Sequence, residues 1–258
     1  MSNQSHKASL AWQLYSLTKE LIDVRNLARS FPVFFKYFSD LSNYRKLSPG
    51  EEIAAADLRP MLGDRSEAHP FDPHYFYQDW WASNKISIVR PAQHLDVGSN
   101  ISFVSLLSNL CDVTYVDLRP LEVSIPRFRG IAGDVTKLPF EDDSRGSISC
   151  LHVVEHVGLG RYGDKLDPEG SKKACRELER VLAPGGNLLI STPIGRERVC
   201  FNAHRIHSSK TILSYCSGLD LKEFSGVDDR GGFAANIPTD SLNQSDYGCG
   251  MFWFTKKK

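Results

Sequence analysis

The sequence has no excess charge of either sign: Lys and Arg number 31, and Asp and Glu number 31, among 258 residues. That excludes a chain-wide basic field of the kind that holds nucleic acid, so no nucleic-acid partner is expected. There is no uninterrupted run of about eighteen apolar residues, so no membrane-spanning helix is expected either. The segment 1–11 is polar and lacks the apolar centre of a secretory signal. The six cysteines (111, 150, 175, 200, 216 and 249) form no CxxC pair and no framework spacing. Free thiols and a cytoplasmic location are the expectation. Internal repeats and long low-complexity tracts are absent as well. Hydrophobic residues are 41% and charged residues 24% of the chain, ordinary globular values that argue against disorder. The length suits one or two domains.

Composition divides the chain near residue 90, into an N-terminal helical extension and linker (1–90) and an α/β domain (91–258). Residues 8–47 place Leu10, Leu14, Leu17, Leu21, Val24 and Leu27 at helical spacing. Phe31-Pro32 is expected to interrupt that helix. The cluster Phe34, Phe35, Tyr37 and Phe38 then suits packing on the main domain, or a homodimer or membrane-surface contact. Residues 48–74 read as linker, and Tyr75 to Ile86 as an aromatic-rich helix whose Tyr77, Trp80 and Trp81 either cap a ligand or join the core.

After residue 90 strands and helices alternate. Strands are expected at 94–97, 112–116, 128–132, 147–151 and 187–192, with helices at 101–110 and 168–182. Ala183-Pro184-Gly185-Gly186 should stop the second of these helices. A further helix near 209–217 and strands near 219–223 and 251–255 complete the pattern. Such alternation implies a parallel sheet covered by helices, with ligands bound beyond the C-terminal strand ends.

The first strand runs into Asp96-Val97-Gly98-Ser99-Asn100. A nucleotide-binding turn needs a residue without Cβ, and Gly98 fits. Asn100 and Ser102 stand where further glycines would complete G-x-G-x-x-G, so that fingerprint is missing. Asp117 follows Gly98 by 19 positions, the spacing of a carboxylate that accepts from ribose hydroxyls. Asp134, after the third strand, suits an adenine amino group or a helix N-cap.

The ordered segments HLDVGSN, YVDLRP, GDVTKLPFEDDSRGSISCLHVVEHV and ELERVLAPGGNLLISTP together resemble the class I S-adenosylmethionine-dependent methyltransferases, over roughly 92–195. A narrower resemblance is to a small uncharacterised family first catalogued in nematodes and met beside bacterial surface-glycan genes. The resemblance implies a Rossmann-like, seven-stranded, mostly parallel sheet with helices on both faces and a final antiparallel hairpin. It implies S-adenosyl-L-methionine as cofactor. Asp96, Gly98 and Ser99, with Asn100 in the same loop, would line its methionine end. Asp117 would hold the ribose, Leu118 would flank the adenine, Asp134 and Val135 would meet its edge, and His152 would lie near the sulfonium.

An oxygen acceptor must also lose its proton, to a base or through a metal. His152, Glu155 and His156 would share a face if helical, and with His204 they make a candidate divalent-metal set. Without metal, His152 is the leading general base, since it comes first after the strand. The loop 158–164, with Arg161, Tyr162 and Asp164, reads as a substrate lid or a solvated connector. Arg205, beside His204, suits a phosphate or carboxylate of the acceptor, or a surface ion pair. Asp228 to Gly232 is a second polar loop at the cleft, and Lys256 to Lys258 a solvated tail. The leading reading is methyl transfer to a hydroxyl of a small-molecule or glycan-type acceptor. A non-catalytic cofactor-binding scaffold and a nicotinamide-dependent oxidoreductase are the alternatives.

Overall fold

The computed structural model describes residues 24–62 and 69–258, and the chain divides into two compact units at Pro70–Phe71. The predicted helical positions 10–21 lie outside the described residues. The first unit contains helix α1 (Val24–Leu47) and a short 3-10 turn at Ala55–Asp57. Pro32 lies inside α1 rather than ending it. A proline removes one backbone donor, which the turns on either side of it outweigh here. The rings of Phe31, Phe34, Phe35 and Phe38 are exposed and meet one another edge-on along the helix.

The second unit opens with α2 (Pro73–Val89), which the sequence analysis had grouped with the extension. Asp72 caps it by accepting from the backbone of His74 and Tyr75, Pro73 sits at its first position, and Arg90 ends it in a left-handed conformation. Gln78, Trp81, Ala82 and Ile86 are its buried face. The indole of Trp81 donates to Glu223 at 3.0 Å, and Lys85 is ion-paired to the same carboxylate at 2.5 Å. This burial against the sheet places α2 in the second compact unit, which begins at Phe71.

The strands are β1 (Gln93–Val97), β2 (Asp112–Asp117), β3 (Phe128–Ala132), β4 (Arg145–Leu151), β5 (Leu182–Ile194), β6 (Arg198–Cys200), β7 (His204–Ile206), β8 (Leu219–Val227), β9 (Phe233–Ala234) and β10 (Gly248–Lys256). The helices among them are α3 (Ile101–Leu107), α4 (Gly170–Val181) and α5 (Ser209–Tyr215). One sheet runs in the order β3-β2-β1-β4-β5-β10-β8-β9, while β6 and β7 form a separate hairpin. The first five strands are mutually parallel, and β10 is antiparallel to both β5 and β8. The fold is the Rossmann-like one expected, with eight strands in place of seven. The extra strand arises because the Asp228 carboxylate accepts from the backbone of Arg230 and Gly232, turning the chain so that Phe233 pairs with Val227. Lys256 is no free tail: it ends β10 with its ammonium 2.6 Å from Asp143.

Two apolar layers hold the sheet. On one side Trp81 and Ile86 of α2 and Phe103, Val104 and Leu107 of α3 pack with Val113, Leu151, Leu189 and Met251. On the other, Ala174, Cys175, Leu178 and Val181 of α4 and Ile212 of α5 pack with Val116, Ile148, Leu188 and Phe252. Chain order reverses between β1 and β4, which opens a crevice beyond their C-terminal ends.

Candidate active site

Gly98 leaves β1 with φ +70° and donates its N–H to Val116 at 2.9 Å. A Cβ there would meet the methyls of Val153 at 3.2 and 3.3 Å, so the loop requires glycine. Asp96 is fully buried beneath this turn. Its carboxylate accepts from the backbone of Ser99 at 3.0 Å and from the Ser149 hydroxyl. Below it, the His94 ring lies between Ser147 and Ser149, 2.8 Å from each hydroxyl. Burial pushes the Asp96 carboxyl up to about 7 and the His94 imidazole down to about 3. Asn100 caps α3 by accepting from Ser102. Asp96, Ser99 and Asn100 therefore shape the loop from behind, and the cleft wall itself is Val97 and Gly98.

Across the cleft stand Asp117 and Leu118 from the end of β2, then Gly133, Asp134 and Val135 after β3, all lining it. One Asp117 oxygen accepts from Arg119 N–H at 2.8 Å and the other from the Tyr115 hydroxyl at 3.2 Å, so the carboxylate is held in one orientation. Asp134 accepts from both the backbone and the hydroxyl of Thr136 at 2.8 Å, which makes a turn and starts no helix.

Past β4 the chain turns rather than entering a helix. His152 has φ +54°, a conformation that costs a non-glycine residue about 1 kcal/mol or more. Its N–H donates to Ser191 at 2.9 Å, which ties the turn to β5. The His152 Nδ1 lies 2.7 Å from Glu155 Oε1, and Glu155 is fully buried. Burial favours the neutral imidazole of His152, but the Glu155 charge, and after it the Cys249 side chain, overcome it and raise the group to about 10. The same pairing holds Glu155 below the usual carboxylate range against its own desolvation. His156 differs. Burial lowers its pKa against the opposing charge of Glu155; its Nδ1 lies 2.6 Å from the Ala203 carbonyl, so Nδ1 carries the hydrogen, and Nε2 lies 3.7 Å from the Glu155 carboxylate. Both His152 and His156 line the cleft.

The predicted metal set is not assembled. Among the described residues, the donor atoms of His152, Glu155, His156 and His204 do not converge within ligand reach. The turn replaces the helix that would have aligned them, and the Glu155 carboxylate is committed to His152.

Loop 158–164 folds over the cleft. Gly158, Gly160 and Gly163 all take positive φ, and the Asp164 carboxylate gathers the N–H groups of Gly158, Gly160 and Tyr162. Tyr162 borders the cleft with its ring between the guanidinium groups of Arg119 and Arg161, 5.2 and 5.1 Å away. Arg161 itself donates to the Ala203 carbonyl at 3.1 Å. Arg205 is a correction. It is 7% exposed, and its guanidinium donates to the carbonyls of Val157 and Asp167 and to Ser171, clasping the two ends of the loop. No surface ion pair and no acceptor contact is available to it. Trp81 lies in the core, while Tyr77 and Trp80 pack on Phe233, so none of the three caps the cleft.

Sequence reasoning passed over His74, Tyr75, Tyr247 and Cys249. The His74 ring stacks on His152 and on Tyr247, with centroids 5.5 and 4.9 Å apart, and Tyr75 stacks on His152 at 5.3 Å. His204 meets Tyr247 at 5.1 Å. Asp229, in the second polar loop, accepts from the backbone of Asp246 and Tyr247 and so positions this aromatic wall. The one available signal was the density of aromatic residues at 75–81.

Residues 95–190 match the model of a family described as a methyltransferase domain, and residues 143–239 match one described as a Caenorhabditis protein of unknown function, DUF268. No curated protein matches the chain. Among solved structures, the YcgJ protein from Bacillus subtilis is 18% identical, with a TM-score of 0.52, covering 71% of this chain and 99% of its own. The N-methyltransferase NodS from Bradyrhizobium japonicum WM9, solved in complex with S-adenosyl-L-homocysteine, is 16% identical with a TM-score of 0.50 over 72% of this chain and 89% of its own. The [4+2]-cyclase SpnF is 15% identical with a TM-score of 0.51, over 69% of this chain and 81% of its own. The resemblance to the class I S-adenosylmethionine-dependent methyltransferase superfamily thus extends from sequence motifs to the fold.

Proposed function

We propose that on this fold the protein transfers a methyl group from S-adenosyl-L-methionine to a hydroxyl of a small-molecule or glycan-type acceptor. One observation carries the reading: a glycine-walled cleft holds the oriented Asp117 carboxylate and is lined by His156, whose Nδ1–H is anchored on Ala203. The residues present fit the cofactor. Gly98 admits close approach of a ligand to the backbone, and the two fixed oxygens of Asp117 suit the two hydroxyls of a ribose. Leu118, Asp134 and Val135 border the same cleft and would meet the adenine. When bound, the cofactor supplies a methyl group made electrophilic by its sulfonium.

The chain's own residues then have three tasks. Gly98 and Asp117 fix the donor, and the loop of Tyr162 and Arg161 covers the cleft and excludes water. His156 accepts the acceptor's proton on Nε2, with Nδ1–H anchored on Ala203. His152 gives up the role of base that its sequence position suggested. Its pairing with Glu155 keeps it charged at neutral pH, and it serves instead to shape the turn. His204 and Tyr247, beyond His156, form the acceptor side. A cytoplasmic site of action and a homodimer through the exposed aromatic face of α1 are further parts of the reading.

SpnF supports keeping a second reading, because a fold shared with a cyclase does not by itself select methyl transfer. Calorimetry with S-adenosylmethionine and S-adenosylhomocysteine, followed by an acceptor screen with the labelled methyl donor, separates the two. Binding with turnover of a hydroxyl acceptor is expected. Binding without any methylated product favours a cofactor-binding scaffold, and no binding at millimolar ligand removes the proposal.

A further inference from the structure

His74, His152 and Cys249 come from three separate places: the first turn of α2, the residue after β4, and the second residue of β10. All three are buried, and one donor atom from each lies within 4.8 Å of the other two. The Nδ1 of His152 is held by Glu155, so Nε2 is the atom left to face the cluster. That Nε2 makes no hydrogen bond to a nitrogen or oxygen, although the side chain is only 4% exposed, and the Cys249 side chain is the neighbour it interacts with. A histidine nitrogen buried this deep with only a thiol beside it calls for a reason. A carboxylate on one imidazole nitrogen is the outer-shell arrangement of metal-bound histidines, and a cation at the other nitrogen would displace its proton.

We infer that His74, His152 and Cys249 form a binding site for a thiophilic transition-metal cation, with zinc as the cation of choice. The ligand chemistry decides the class: two imidazoles and a thiolate suit zinc, whereas magnesium and calcium take oxygen donors. Bonds of about 2.0–2.3 Å put tetrahedral donor atoms roughly 3.3–3.6 Å apart, so the cluster closes around an ion by rotating side chains rather than by refolding. Three protein ligands leave a fourth position open, as in sites that hold water or a ligand rather than closed structural ones. His152 borders the cleft, so that position is reached from the acceptor side. The stacked rings of Tyr75 and Tyr247 wall the site. This set shares only His152 with the His152, Glu155, His156 and His204 set discarded above, and it does not depend on methyl transfer.

The test uses the full chain after chelator treatment. Calorimetric titration with zinc is expected to show one equivalent bound. Cobalt(II) as the optical probe is expected to give a thiolate-to-cobalt charge-transfer band. Cys249→Ser should abolish the band, and His74→Ala should weaken cobalt binding at least tenfold. Cys200→Ser, on the separate β6–β7 hairpin, should change neither. Thermal melts establish that each variant is folded. Should Cys249→Ser not fold, His74→Ala decides alone, since Asp72 still caps its helix through backbone N–H groups. A band that survives Cys249→Ser, cobalt affinity unchanged in His74→Ala, or no uptake of either metal overturns the inference. No arm reads methyl transfer, so failure here leaves the enzymatic reading standing.

Discussion

The Glu155 carboxylate lies 2.7 Å from Nδ1 of His152, three residues earlier on a left-handed turn, and both side chains are removed from water. The pair locks the segment that follows β4. It also explains how two charges persist there: each compensates the desolvation of the other.

Glu155→Gln should therefore destabilise the fold strongly. Removing one member of a buried pair leaves an uncompensated charge, at a cost of about 3–5 kcal/mol. Chemical denaturation measures it, and His152→Gln in the same chain should recover part of the loss. A loss under about 1 kcal/mol would mean that the pair is solvated.

His156→Ala should lower turnover at least about 100-fold with cofactor affinity unchanged. The base must be neutral, and burial lowers its pKa below the usual 6.5. Activity should thus rise with pH through a midpoint below 6.5 and level off by neutrality. A midpoint above 7, or full activity in the variant, would place the base elsewhere.

Asp117→Ala should weaken S-adenosylmethionine binding about 10- to 100-fold, the worth of a charged hydrogen bond of about 1.5–3 kcal/mol. The rate at saturating cofactor should change little. Binding isotherms beside saturation kinetics make the distinction; a lost rate at full affinity would reassign the residue.

Asp96 imposes a pH dependence on stability. Its folded pKa, about 7, stands above the ordinary aspartate value of 3.8, so the folded state binds the proton more tightly. Its contribution is full below pH 4 and is lost as pH rises through 7. His94, lowered to about 3, acts in the opposite direction, since acid protonates the unfolded chain first. The two separate in a difference. Between pH 5 and 8 the stability of Asp96→Asn relative to wild type should rise, by at least about 1 kcal/mol. A pH-independent difference would mean that Asp96 titrates normally.

Arg205→Ala should act on stability rather than on acceptor binding. The side chain holds the carbonyls of Val157 and Asp167, and their loss should cost at least about 2 kcal/mol. An acceptor KM that rises while the melting temperature stays unchanged would restore the acceptor role to this residue.

Local pattern was enough for much of this. The alternation of apolar strands and amphipathic helices, the glycine at 98 and the acid at 117 all lie within single β-α-β stretches, and neighbours in sequence there are neighbours in space. That Asp117, Leu118, Asp134 and Val135 stand at strand ends on the cleft was legible for that reason. Whether 152–156 is helical stayed open in the sequence because a short apolar-polar stretch does not distinguish a turn from a helix, and hydrogen bonds to β5 decided for the turn. Arg205 was misplaced because a polar residue in a loop looks exposed until the segments it clasps are packed around it.

What the sequence by itself determined is the strand–helix order and the residues at the strand ends, since both follow from periodicity and backbone freedom over a few residues. What only the tertiary structure decided is the meeting of His74, His152, Tyr247 and Cys249. Their separation along the chain carries no periodic signal. They converge because the sheet places β4, β5 and β10 side by side and packs α2 against them, and the balance of burial against the Glu155 charge then sets which histidine is charged and which is neutral.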